Sequence, residues 1–308
     1  MMTAQHADLM DRLPPVRGRL QSHVSLARYS WFRTGGPAEI FFEPADEADL
    51  CAFLRALPAD VPLTVLGLGS NILIRDGGLD GVVIRLGKSL GDIRCDDMDL
   101  VAGAGASDFA VANLARDRGV AGLEFLRGVP GSIGGSVRMN AGAYGRDMAD
   151  ILVAARIVDR FGTVRQRKAG ELGFSYRHSA FDEGDIVLSA HLRGLPGAPD
   201  AIAARMASIS AERDLAQPLR TRTGGSSFKN PPGEKAWRLI DQAGCRGLTR
   251  GDAQVSEKHT NFLINKGMAS ADDLEKLGED VRARVKALCG IDLEWEIRII
   301  GKAKGGMA

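Results

Sequence analysis

The chain has 308 residues, 44% of them hydrophobic, and a formal net charge of +1, a length that exceeds the usual span of one core and predicts two domains or one elaborated domain. So even a charge gives no electrostatic case for a nucleic-acid partner. Cys51, Cys95, Cys245 and Cys289 stand far apart with no C-x-x-C pair, which speaks against a zinc site and a thioredoxin-type couple. Residues 1–20 carry Asp8, Asp11, Arg12, Arg17 and two prolines in place of an apolar signal core, and no later stretch is long and apolar enough to span a bilayer. A cytoplasmic protein with no membrane partner is expected.

In chain order, Asp46-Glu47-Ala48-Asp49-Leu50 opens an amphipathic helix whose Leu50, Phe53, Leu54 and Leu57 fall at i, i+3, i+4 and i+7 before Pro58 stops it. Short apolar runs at 63–66, 72–74, 82–86 and 100–104, punctuated by Gly67, Gly69, Gly77 and Gly78, predict strands, and a helix follows from Ser107. Past a glycine-rich centre, 151–158, 163–167 and 186–192 predict an antiparallel meander, the first pair joined by only Asp159-Arg160-Phe161-Gly162. Gly194-Leu195-Pro196-Gly197-Ala198-Pro199 breaks the pattern and marks the candidate domain boundary.

Beyond it, 200–216 predicts a helix, with strands near Gln254-Val255 and Phe262-Leu263-Ile264. Ser270-Ala271-Asp272-Asp273 is a capping-box-like start, with Asp in the place of Glu or Gln, for a helix carrying Leu274, Leu277, Val281, Val285 and Leu288 on one stripe and closed by Gly290. The last strand alternates: Leu293, Trp295, Ile297 and Ile299 face one way, Glu294, Glu296 and Arg298 the other. No repeats are present, and residues 302–306 read as a tail that frays.

Two segments carry the functional signal. Residues 127–145 read RGVPGSIGGSVRMNAGAYG, and upstream stands Gly67-Leu68-Gly69-Ser70-Asn71. So many small residues leave a backbone bare enough for a ligand to touch, and N–H groups freed in such turns attract anions. Two such loops suggest one extended ligand with a pyrophosphate. Neither ends in Lys-Ser or Lys-Thr as a P-loop does, and the dinucleotide fingerprint lacks its third glycine. Either loop alone reads equally well as a tight structural turn.

The loops, together with Trp31-Phe32-Arg33-Thr34-Gly35-Gly36-Pro37-Ala38, resemble the flavin-binding signatures of the UDP-N-acetylenolpyruvoylglucosamine reductase family. The resemblance continues through Ser175-Tyr176-Arg177-His178-Ser179, Gly225-Ser226-Ser227-Phe228-Lys229-Asn230-Pro231, the run 253–262 (AQVSEKHTNF) and Leu293-Glu294-Trp295-Glu296-Ile297-Arg298, in the family's order, from about Ser25 to Gly301. It implies an α+β chain with a vanillyl-alcohol-oxidase-type FAD-binding fold in two subdomains and a smaller α+β substrate-binding domain. The expected division is an N-terminal extension over 1–24, an FAD-binding region over 25–196 split near 90, and a substrate-binding domain over 197–308. The implied activity is a step of peptidoglycan precursor synthesis, in which NADPH supplies electrons and FAD passes them to the enolpyruvyl ether of UDP-N-acetylglucosamine enolpyruvate.

That chemistry needs a stabilised enolate and a proton delivered to the carbon beside it. By resemblance, Ser226 donates that proton, Arg177 grips the carboxylate, and Glu296 assists the enolate or relays to the serine. Arg suits a carboxylate through two parallel hydrogen bonds that Lys cannot reproduce. On residue type alone, Ser226 is a loop serine, Arg177 a surface arginine with its stem on Tyr176, and Glu296 a solvent-facing strand residue; the family motif, position by position, assigns the roles.

Gly67, Gly69, Ser70 and Asn71 on one loop, and Gly131, Ser132, Gly134 and Gly135 on the other, are expected to hold the FAD pyrophosphate through main-chain N–H groups and hydroxyls. Ser132 is placed to cap the short helix running toward Met139. Neither loop has the His or Cys that tethers flavin covalently in relatives of this fold, so the cofactor is expected to be dissociable. Lys229 and Asn230 are the expected uridine-diphosphate contacts, with His259 and Asn71 as further candidates; His259 reads equally as a hydrogen-bonded loop histidine.

Arg177-His178-Ser179-Ala180-Phe181 is followed at once by Asp182-Glu183-Gly184-Asp185 and a strand, so the chain resembles the members with a short loop here. Ser136 replaces a more usual alanine, an exchange expected to matter little. With no heptad seam, a monomer is expected. A flavin oxidase on the same fold, distinguished by peroxide production, and a nucleotide-sugar-binding protein without catalysis are the alternative readings.

Overall fold

A computed structural model describes residues 9–305. Contact density divides them into two compact units, one of residues 9–24, 38–67 and 80–206, the other of residues 25–37, 68–79 and 207–305. Each unit has a hydrophobic core of its own. Two short upstream segments therefore fold with the C-terminal third of the chain. Of the expected N-terminal extension, residues 1–8 lie outside the described residues.

The first unit is built on two larger sheets, with two two-stranded pairs beside them. Strands Arg19–Ser25, Pro37–Glu43, Leu79–Arg85 and Leu63–Leu66 form one, in that order, with the last two parallel and Leu63 opposite Val82. Helix α1 (Glu47–Ala56) starts where the Asp46 side chain accepts the N–H of Asp49, and it buries Leu50, Phe53 and Leu54, the predicted stripe. The second sheet is antiparallel throughout, in the order Val164–Lys168, Leu152–Val158, Ile186–Arg193, Asp99–Gly103, Ile93–Asp96. Its predicted hairpin closes because Asp159 Oδ1 accepts the N–H groups of Phe161 and Thr163 at 2.9 Å each, while Gly162 takes a φ of 76°. Helices α2 (Asp108–Asp117), capped by Ser107, and α3 (Ile133–Met139) flank the glycine-rich centre.

Helix α4 (Pro199–Ala216) carries the chain onward. The second unit then holds α5 (Ala236–Gln242), a three-stranded antiparallel sheet of Thr249–Arg250, Ala253–Val255 and Leu263–Asn265, and α6 (Ala271–Cys289). Ser270 and Asp273 exchange hydrogen bonds in a full capping box, so the shorter acid does the work of Glu. Leu274, Leu277, Val281 and Val285 are buried as predicted, but Leu288 is 65% exposed, because the last turn of α6 runs past the core.

The predicted strand over 293–299 needs correction. Only Arg298–Ile300 forms a ladder, parallel to Ile72–Ile74, because that partner is three residues long. Upstream the chain stays extended and pairs antiparallel with 226–229 through Phe228 and Trp295. The alternation survives, with Leu293 and Ile297 buried and Glu294 and Arg298 exposed. Lys302, expected in a fraying tail, is held by two backbone bonds: its N–H donates to the Gly78 carbonyl and its carbonyl accepts the N–H of Gly77. No helix among the described residues is long and apolar enough to cross a membrane.

Candidate flavin and substrate site

In the first unit, the loop before α3 lies along residues 104–108 like a short strand. The N–H groups of Ile133 and Gly134 donate to the carbonyls of Ala106 (2.9 Å) and Ala104 (3.0 Å), and the N–H of Asp108 donates to the Gly131 carbonyl (3.1 Å). The Gly131 N–H in turn faces the Asp108 carboxyl. Of the four residues expected to hold a pyrophosphate here, Gly131 and Gly134 therefore have their N–H groups bonded inside the protein. Ser132 and Gly135 keep theirs without a partner among the described residues. Ser132 occupies the N-cap of α3, but its hydroxyl does not cap the helix. A Cβ on Gly67 or on Gly135 would meet nothing within 4 Å except the Ser132 side chain. Gly67 thus packs directly against the Ser132 hydroxyl, which is itself almost wholly buried, while Gly135 is exposed beside it.

At the far end of α3, Asn140 adopts the left-handed conformation and works as a three-way clamp. Its Nδ2 donates to Asp147 Oδ2 and to the Ser175 carbonyl, and its Oδ1 accepts from Ala149, all at 3.0 Å. The clamp fixes the tight turn 175–178, in which Ser175 and His178 exchange backbone bonds at 3.1 Å. Arg177 rides on this turn at φ 55°, half-buried, with Nη2 donating to the Gly142 carbonyl at 3.0 Å and the guanidinium 5.0 Å from the Tyr176 ring. The guanidinium itself, not the stem of the side chain, lies over Tyr176.

In the second unit, Gly69 sits at φ 69° where any Cβ would overlap the Tyr29 carbonyl, and its own carbonyl accepts from Trp31 N–H at 3.0 Å. Asn71 donates through Nδ2 to the Glu296 carbonyl at 3.1 Å. The N–H of Glu296 donates to the Ser227 carbonyl at 2.8 Å, and Lys229 N–H to the Glu294 carbonyl at 2.8 Å. Backbone pairing thus sets Glu296 beside the segment that carries Ser226. Ser226 is half-buried, bridges Phe262, and its hydroxyl has no partner among the described residues. Ser227 differs: it is buried, and its hydroxyl accepts from Leu263 N–H at 3.2 Å. One serine is structural, its neighbour available.

The expected diphosphate contacts are placed as follows. Lys229 pairs with Glu294. Asn230 accepts the N–H of Ala236 at 3.0 Å and so anchors the start of α5. His259 accepts the N–H of Asn261 through Nδ1 at 3.3 Å, which puts its proton on Nε2, and its ring stands edge-on to Phe262 at 4.8 Å. Burial pushes its pKa below the ordinary histidine value. Asn261 is a positioning residue not singled out from the sequence. It grips the main chain of Phe228 twice, accepting at 3.0 Å and donating at 2.8 Å. Its only sequence signal is an amide in a run between two strands.

Residues 38–167 match the family model described as FAD binding domain. With the α+β architecture and the glycine-rich loop before α3, this defines a flavoprotein oxidoreductase of the vanillyl-alcohol-oxidase-type fold expected from the sequence. Residues 217–300 match the model for the C-terminal domain of UDP-N-acetylenolpyruvoylglucosamine reductase. Proteins named as this reductase include one from Rhizorhabdus wittichii, 56% identical over 299 residues (97% of this chain, 98% of that one), and one from Parvibaculum lavamentivorans, 53% identical over 309 residues (99% and 100%). The crystal structure of the reductase from Thermus caldophilus superposes with a TM-score of 0.81 at 35% identity, covering 92% of this chain and all of that one. The chain belongs to the UDP-N-acetylenolpyruvoylglucosamine reductase family.

The residues present fit FAD. The N–H groups of Ser132 and Gly135, without partners among the described residues and next to the Ser132 hydroxyl, are the donor set a diphosphate takes.

Proposed function

We propose that the protein reduces UDP-N-acetylglucosamine enolpyruvate to UDP-N-acetylmuramate, with NADPH as the reductant, as a cytoplasmic, monomeric enzyme of peptidoglycan precursor synthesis. FAD, held non-covalently, supplies the hydride when bound. Ser132 and Gly135, with Gly67, Gly69, Ser70 and Asn71, bind it; Gly131 and Gly134 shape the loop that does so. Arg177, already directed at an oxygen acceptor in Gly142, takes the substrate carboxylate and stabilises the enolate. Ser226 delivers the proton to the adjacent carbon, and Glu296 accepts charge or relays the proton to it. Lys229, Asn230 and His259 contact the uridine diphosphate end.

The observation that carries this reading is the pairing of 226–229 with 294–297, which puts a serine hydroxyl with no partner of its own on the strand next to Glu296. A hydroxyl so placed can donate a proton and be replenished by a carboxyl. Replacement Ser226→Ala tests it. NADPH should bleach the flavin of the variant at the normal rate, while reduction of the enolpyruvyl sugar falls by roughly 100-fold or more, the scale of removing a positioned proton donor. A variant that turns the sugar over normally eliminates Ser226 as the donor.

A further inference from the structure

On size alone, Ser136 reads as one more small residue of the glycine-rich run. Its surroundings show otherwise. The Ser136 hydroxyl donates to Asp108 Oδ2 at 2.8 Å, and both side chains are buried. The other carboxyl oxygen, Oδ1, has no partner. Burial pushes the Asp108 carboxyl up to about 7, against the Ser136 hydroxyl and the Gly131 N–H, which pull it down. The causes of the shift are burial, the Ser136 hydroxyl and the Gly131 N–H, with Glu124 and Arg127 on the turn packed against α2 and Arg138 on α3 as the charged side chains of the elements packed around it.

What this acid touches is the flavin loop. A Cβ on Gly131 would lie 2.7 Å from Asp108 Oδ2 and 3.2 Å from Ser136 Oγ, and the main chains of residues 108 and 131 are hydrogen-bonded to each other. The carboxyl therefore sits directly behind the turn that opens the Gly131–Gly135 segment. In its neutral form it fills that space without charge. Ionised, it sets a negative charge, in a poorly screened interior, behind a loop that takes an anion.

We propose that Asp108 and Ser136 form a coupled positioning pair that holds the Gly131 turn in the shape that receives the FAD diphosphate, and that ionisation of Asp108 weakens FAD binding. The proposal rests on assigning this loop to the diphosphate. It gives the serine at position 136 a task that alanine could not perform.

The test is the dissociation constant of FAD for the deflavinated full-length protein, followed by quenching of flavin fluorescence from about pH 5.5 to about pH 9. Wild-type affinity should weaken roughly tenfold toward the alkaline end. Asp108→Asn, isosteric and unable to ionise, should lose that pH dependence. Ser136→Ala should bind more weakly and shift the alkaline limb to higher pH, because the donor that favours the carboxylate is gone. An undiminished limb in Asp108→Asn overturns the proposal, as does a flat wild-type profile. If the asparagine variant does not fold, a limb in Ser136→Ala at the wild-type pH overturns it just as well. Gly135→Val separates the two levels, since Gly135 is exposed and a Cβ there would approach only the Ser132 hydroxyl, at 3.7 Å. Normal FAD binding by that variant removes the loop assignment and the proposal with it; blocked binding with an unaltered Asp108→Asn profile removes the pair alone.

Discussion

The Asn71 side chain donates to the Glu296 carbonyl at 3.1 Å, and the Asn71 carbonyl accepts the N–H of Arg298 at 3.1 Å. One residue of the first glycine loop thereby holds a segment 225 positions away on both sides of residue 297. Asn71→Asp, which keeps the shape but removes the donor, should destabilise the protein by about 1–3 kcal/mol, the consequence of leaving a carbonyl unsatisfied. Urea unfolding of wild type and variant measures this, and an unaltered midpoint would mean that the bond contributes nothing.

Gly278 on α6 faces the Trp295 ring so closely that any Cβ would overlap it, and the same ring lies 4.7 Å from Phe228. Gly278→Ala should displace Trp295, with a cost of about 1–3 kcal/mol from overpacking. Tryptophan emission should shift at the same time. Because Phe228 lies two residues from Ser226, reduction of the enolpyruvyl sugar should slow even where the variant stays folded.

Arg177→Lys retains the positive charge and loses the planar fork. Substrate reduction should fall by roughly 100-fold in kcat/KM, comparable to removing one oxyanion donor, while NADPH still bleaches the flavin at the wild-type rate. Stopped-flow separation of the two half-reactions decides. Equal slowing of both would place Arg177 outside the carboxylate site.

His259 is half-buried, with Nδ1 committed to Asn261 and its pKa lowered by desolvation. Its pKa is depressed in the folded state, so the unfolded chain binds more protons as pH falls below the ordinary histidine value of about 6.5. Its contribution is therefore intact above that pH and is lost as pH falls toward the depressed folded value. Thermal unfolding followed from about pH 7.5 to about pH 5 should show this acid loss in wild type and a shallower one in His259→Gln. Identical profiles would show that His259 titrates alike in both states.

The features legible in the sequence are those fixed locally. The Asp159 turn, the Ser270–Asp273 capping box and the α1 stripe each depend on residues within a few positions, so spacing alone revealed them. The C-terminal alternation was legible as a pattern of burial, but its ladder was not, because the length of a strand depends on its partner, here Ile72–Ile74. Asp108 escaped for a related reason. Next to the Ser107 cap it looks like an ordinary acid at a helix start, and only the packing of the Gly131 turn over it shows it to be buried. Gly131 and Gly134 read from the sequence as anion donors, whereas the Gly131 N–H faces the Asp108 carboxyl and the Gly134 N–H donates to the Ala104 carbonyl.

Arg75 and Asp76 clasp the first turn of α6: Arg75 pairs with Glu275 at 2.7 Å, and Asp76 accepts the N–H groups of Ala271 and Asp272 at 3.0 Å each. Those partners leave the ribosome 195 or more residues after the aspartate does. The segment 72–76 must therefore wait, unclasped, through most of translation, and the second core can close only when synthesis is nearly finished. Nascent chains arrested before α6 should be far more open to protease around residue 75 than the released protein.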